Sequence, residues 1–239
     1  MTQNNLRFVA HIDILGMSEL VARDAELAWQ VLSDLVEARN HVNNFELTFL
    51  DTDERTPVRA QVHCVTFSDT IVLFSKSDTL IDLRTILVVT TEMFNKALST
   101  CIPIRVGIAH GKFFFNLDDS MYAGPALIEA YRLGERAQWI GLAASEAVYL
   151  RAQEADLKSR SANIVVEADI PIDSGSYIGY AVNWPEILER HPHVTVPITI
   201  AQFYSAFEHL FGPFSALPAR VQAKYVNSVR FFNTRVAAT

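Results

Sequence analysis

Two carboxylates stand where carboxylates are costly. Asp13 interrupts the apolar run RFVAHIDIL, residues 7–15, and Asp69 sits at the tip of QVHCVTFSDTIVLFSK, residues 61–76, between two apolar stretches. A charge in such surroundings is unfavourable unless it is paired, hydrogen-bonded or metal-bound. Asp69 taken alone also reads as an ordinary turn former. If the strand carrying Asp13 pairs with the hairpin carrying Asp69, the two converge on one site. Two carboxylates beside a backbone carbonyl suit Mg2+, which takes one or two carboxylates plus substrate phosphates. The third residue is Arg132, in a helical pattern that offers Leu127, Ile128, Ala130 and Leu133 to a core. Its guanidinium reads either as a member of a surface ion pair or as a group set against a developing phosphoryl charge.

The elements that must position these residues follow from periodicity. Residues 7–15 read as a buried strand that Gly16 breaks. Leu20, Leu27, Val31, Leu35 and Val42 then recur at helical spacing, with Ser18 as N-cap. Residues 51–59 are charged, hold Pro57 and read as a loop. The run 61–76 is a hairpin turning at Ser68-Asp69. Residues 78–100 are helical through Leu83, Leu87, Phe94 and Leu98. IRVGIAHGKFFF is a strand whose two glycines suggest a close backbone approach or a bulge. Pro125 opens another helix, where its missing N–H costs nothing, and WIGLAAS is a further strand.

Beyond it, residues 146–177 are loosely patterned and SYIGYAVNW reads as a late strand. ITIAQFYSAFEHLF and ARVQAKYVNSVRFFNTRV read as two helices split by GPFSALP. This order predicts an α+β fold, a mostly antiparallel sheet with helices on one face. Residues 1–185 are expected to form the main domain, the one that would carry any catalysis, and 186–239 a C-terminal helical extension.

Composition limits the partners. The chain has 239 residues, half of them apolar, with 27 acidic against 20 basic residues and a formal charge of −7. It is too apolar for disorder, and the charge argues against a broad nucleic-acid surface. A polyanionic ligand would need metal ions to mediate its contact with such a chain. No run reaches the roughly 18 apolar residues of a membrane span, so a soluble cytoplasmic protein is expected. Cys64 and Cys101 fit neither zinc nor disulfide spacing and read as small buried hydrophobes.

HIDILGMSEL, FSDTIVLF, RVGIAHG and GPALIEAYRL, in this order, resemble the class III nucleotidyl cyclases over about residues 7–145. Within that family, FVAHIDILGMS most resembles the pyrimidine cyclases of bacterial anti-phage signalling, the Pycsar systems. The resemblance implies that Asp13 and Asp69 hold two Mg2+ or Mn2+ ions together with the Ile14 carbonyl. It further implies that Arg132 stabilises the transition state and that Leu15, Gly16 and Met17 wrap the triphosphate, at a helix N-terminus suited to anions. The implied reaction is attack of the ribose 3′-hydroxyl on the α-phosphate with release of pyrophosphate. The implied assembly is a homodimer whose sites take the aspartates from one subunit and the arginine from the other. The implied downstream partner is a separate effector that binds the cyclic nucleotide.

Three departures bear on the substrate. The Lys that purine cyclases carry four residues before the second metal Asp is Val65 here, their polar base-reading residue is Met121, and the Asn four residues before the Arg is Ile128. A pocket without those hydrogen-bonding groups should not select a purine. UTP is therefore the first choice and CTP the second, with Phe49, Val65 and Met121 as the residues placed to line the base. The alternative is a catalytically inactive nucleotide-binding regulatory protein on the same fold, and a weaker one is a metal-dependent phosphohydrolase using Asp13 and Asp69. His11, His63 and His110 read as packed residues. Lys76, Lys112, Arg105 and Arg136 are secondary candidates for phosphate contact, and Phe113, Phe114 and Phe115 cannot all face one side of a strand.

Overall fold

The computed structural model describes residues 5–43, 46–47, 58–59, 62–159, 162–188 and 197–237. Seven strands form one sheet: β1 (Leu6–Ile14), β2 (Val62–Phe67), β3 (Thr70–Ser75), β4 (Ile104–Lys112), β5 (Gly141–Ala144), β6 (Val165–Ile172) and β7 (Gly175–Val182). Their order is β6-β7-β5-β4-β1-β3-β2, and only β4 and β5 pair in parallel. The strand carrying Asp13 is thus central, with the hairpin carrying Asp69 on one side and β4 on the other.

Alternation along β1 divides the molecule into two layers. Phe8, Ala10, Ile12 and Ile14 enter the large core beneath α1 (Met17–Arg23), α2 (Ala25–Asn43) and α3 (Leu80–Ser99). Val9 points the other way, into a smaller cluster with Phe74, Ala109 and Phe113 under α4 (Pro125–Arg136). Helices therefore cover both faces, where the sequence predicts one. The reason lies in α4, whose sheet-facing residues Ala126, Ala130 and Gly134 are small. They let its backbone reach the sheet at Gly107, where a Cβ would stand 2.0 Å from the Ala130 carbonyl oxygen. This is the close approach that the glycine in RVGIAHG signals.

Local chemistry sets the other boundaries. The long helical pattern after Gly16 breaks at Asp24, whose carboxylate accepts from Leu27 N–H at 2.9 Å at the start of α2. Ser18 is exposed inside α1 and does not cap it; the helix follows Gly16, which is left-handed at φ 77°. A reciprocal capping box between Thr79 and Asp82 opens α3.

The loosely patterned stretch holds α5 (Glu146–Glu154) and β6. The helix buries only Val148 and Ala152, too thin a stripe to read. After α6 (Trp184–Leu188), the first C-terminal pattern forms two short helices, α7 (Ile200–Ser205) and α8 (Glu208–Phe211), and the second forms α9 (Ala219–Val236). Tyr204, Phe207, Tyr225 and Phe231 from these helices join the same core as the sheet. Among the described residues no helix is long and apolar enough to cross a membrane.

Candidate active site

Strand register brings Asp13 and Asp69 together. Asp13 pairs with Thr70 of β3 on one side and Arg105 of β4 on the other. Phe67 pairs with Thr70, so Ser68 and Asp69 are the two-residue turn between β2 and β3, with Ser68 at φ 52°. The Ile14 amide donates to the Asp69 carbonyl at 3.3 Å, and the Leu15 amide to the Pro103 carbonyl at 2.9 Å. Asp13, Ile14 and Asp69 therefore meet at one end of the sheet, and the Leu15-Gly16-Met17 turn leaves from the same point.

The charges there are not equivalent. Arg105 is buried, donates from Nε to Asp13 Oδ2 at 2.8 Å and from Nη1 to the Glu135 carbonyl at 3.0 Å, and pairs through Nη2 with the Glu135 carboxylate. One oxygen of Asp13 is thus held by an internal cation. Asp69, half-buried, makes no ion pair among the described residues. Both carboxylates lie within electrostatic reach of His11, whose pKa is lowered mainly by burial, with Asp13 opposing. The His11 ring meets Tyr131 of α4 edge-on at 5.2 Å.

The donor set fits a hard divalent cation. Asp69 and the second oxygen of Asp13 are carboxylate oxygens, the ligand type that Mg2+ or Mn2+ prefers. Among the described residues no cluster of three or more His, Cys, Asp and Glu exists. Ions bound here would therefore depend on substrate phosphates to complete their coordination.

Arg132 lies elsewhere. It is exposed on α4 and lines a groove with Ile128, Glu129, Leu133 and Arg136, which neither aspartate enters. Arg136, which lines this groove, also lies over the Tyr177 ring at 4.2 Å. Tyr131 rests on His11, whereas Arg132 turns to the other flank of the helix. Arg132 thus stands on the side of α4 away from the sheet-facing Ala126, Ala130 and Gly134.

The other candidates divide. Val65 is half-buried opposite Val72 and packs on the cluster under α4, the face to which Asp13 also belongs. Met121 is exposed, on a small ribbon formed by residues 114–116 and 121–123, and Ile128 is exposed on α4. Phe49 lies outside the described residues. His63 stacks on Phe74 at 5.1 Å and His110 tilts over Phe8 at 4.6 Å, both packed. Phe113 is buried while Phe114 is half exposed. Neither Cys64 nor Cys101 forms a disulfide; both are half-buried, and burial raises the pKa of the Cys101 thiol.

Sequence reasoning places Arg105 among minor phosphate candidates and omits Glu135. Their roles depend on the register of β1 against β4 and on where α4 ends, neither of which a local pattern carries.

No family description and no curated relative matches the sequence. Solved structures do match the fold. The adenylyl cyclase CyaB from P. aeruginosa aligns with a TM-score of 0.53 at 16% identity, over 74% of this chain and 93% of that one. The dimeric guanylyl cyclase domain of the RhoGC fusion protein from the fungus Blastocladiella emersonii aligns at 0.53 and 13%, over 75% and 96%. The catalytic core of a rhodopsin-guanylyl cyclase with converted specificity, solved with ATPαS, aligns at 0.55 and 13%, over 75% and 95%. At these identities the likeness concerns the fold: the chain has the mixed α/β fold of class III nucleotidyl cyclases.

Proposed function

We propose that the protein is a nucleotide cyclase that converts a pyrimidine nucleoside triphosphate, UTP before CTP, into its 3′,5′-cyclic monophosphate and pyrophosphate. The observation that carries this reading is the meeting of Asp13, Ile14 and Asp69 beside the Gly16 turn on a cyclase fold. The ribose 3′-oxygen bonds to the α-phosphorus, the bond from that phosphorus to the bridging oxygen breaks, pyrophosphate leaves, and the hydroxyl proton passes to solvent. Bound Mg2+ or Mn2+ supplies Lewis-acid activation of the hydroxyl and neutralises phosphate charge. Asp13 and Asp69 would hold the ions with help from the Ile14 carbonyl, and the Leu15–Met17 turn would receive the triphosphate.

Arg132 sets its guanidinium against the charge that develops on the transferred phosphoryl group. Since it faces away from its own aspartates, the complete site takes Arg132 from a second copy, and two-fold pairing yields two equivalent sites. Val65 and Met121, lacking groups to read a purine edge, support the pyrimidine preference. The resemblance in sequence supports a role in anti-phage signalling, with a separate effector reading the cyclic product.

The Arg105–Asp13 ion pair favours one second reading, a nucleotide-binding protein without turnover, because an internal cation already engages that carboxylate. Incubation with each of the four ribonucleoside triphosphates and Mg2+ or Mn2+ separates the two. Cyclic product and pyrophosphate from UTP or CTP alone support the cyclase. Binding without product supports the second reading.

A further inference from the structure

The C-terminal helices end against the turn that the proposed reaction uses. Phe211, the last residue of α8, lies so near Gly16 that a Cβ at Gly16 would stand 2.9 Å from the Phe211 ring. Arg23 at the end of α1 donates to the Leu210 carbonyl. Next to this contact, α9 is pinned beside the sheet. Ser228 Oγ accepts from the Ile140 amide at 2.7 Å, and Asn227 Nδ2 donates to the Gln138 carbonyl at 2.8 Å. Gly141, immediately after Ile140, pairs with Arg105. Lys224 lies one helical turn before Ser228, which donates to its carbonyl at 2.8 Å. The lysine is thereby carried to the Arg105 and Asp13 end of the sheet.

Its side chain is half-buried and makes no hydrogen bond or ion pair among the described residues. Its charged surroundings are Arg105 and Arg220 on one account and Asp13 and Glu19 on the other. Burial first, and then the two arginines, lower its pKa, and the two carboxylates do not offset them. Among the described residues the ammonium forms an ion pair with neither carboxylate. Glu19, one of those carboxylates, stands in the first turn of α1, the helix that follows the Leu15–Met17 turn assigned to a triphosphate.

We propose that Lys224 is a substrate-binding residue, whose ammonium contacts the terminal phosphates of the nucleotide held at Leu15–Met17. This rests on the nucleotide reading above and assigns to the C-terminal helices a part of the site.

Equilibrium binding of the α,β-methylene analogues of UTP, CTP, ATP and GTP, which cannot be cyclised, tests it against the corresponding monophosphates, all in Mg2+. Lys224→Gln and Lys224→Met weaken binding of the preferred triphosphate analogue about tenfold. Monophosphate binding stays as in the parent, and Lys224→Arg restores most of the loss. Melting curves of both neutral variants show that they fold; the Met variant keeps the apolar stem if Gln does not. Equal loss for triphosphate and monophosphate, or no loss, overturns the assignment while leaving the nucleotide reading intact. Failure of the parent to bind any triphosphate analogue overturns both.

Discussion

The Asp13 end of the sheet and the outer flank of α4 are built on opposite terms. At the sheet end, backbone register fixes the carboxylates, the side chains are half-buried, and Arg105 ties Asp13 to the end of α4. On the flank, Ile128 and Tyr131 are exposed beside Arg132, and at the tip of the β2–β3 hairpin Phe67 is 82% exposed. The first region has its arrangement from one chain. The second offers a cation and apolar surface that no described residue covers, which is what half of a shared site requires.

Substitutions break this comparison at different places. Asp69→Ala has the largest expected effect, a loss of turnover of about a thousandfold or more, because it removes one of two protein carboxylates at the site. Its melting temperature stays near the parent's, since Asp69 makes no ion pair among the described residues. Full activity in that variant rejects the site. Arg132→Ala lowers kcat by about a hundredfold to a thousandfold with KM little changed, as expected for a contact made chiefly in the transition state. Sedimentation should show that its dimer is retained; an unchanged kcat removes Arg132 from the mechanism.

Gly107→Ala tests the seating of α4 itself. A methyl group 2.0 Å from the Ala130 carbonyl forces the helix off the sheet. The expected cost is about 3 kcal/mol by urea denaturation, and a cost under ~1 kcal/mol contradicts this helix position. Phe67→Ser has the smallest effect on the monomer. Its side chain is 82% exposed, so folding stability changes by less than about 0.5 kcal/mol. Dimer dissociation, followed by sedimentation, becomes about tenfold easier if Phe67 is an interface residue, and unchanged dissociation excludes it.

What could be read in the sequence was what local chemistry decides. β1, the Ser68-Asp69 hairpin, α3 and the Pro125 start of α4 each carry their own period or turn signal. Asp13 and Asp69 were visible because charge is costly in apolar runs. Gly107 announced a close approach without saying what approaches. The break at Asp24 was hidden because an apolar stripe continues across it while a side-chain cap ends the helix.

The placement of α4 on the opposite face follows from small residues meeting Gly107, a tertiary fit. Arg105 became part of the site only through its register with Asp13. Lys224 comes from the far end of the chain, and no spacing links it to Gly16.

The central claim is that one active site is assembled from two copies. Its most direct measurement mixes Asp69→Ala with Arg132→Ala, each inactive alone, and follows cyclic pyrimidine nucleotide formation. Random exchange makes half of the dimers mixed, and each of these regains one intact site of two, so activity returns to about a quarter of the parent's. An exchanged mixture that stays as inactive as its components, beside an active parent, contradicts the shared site.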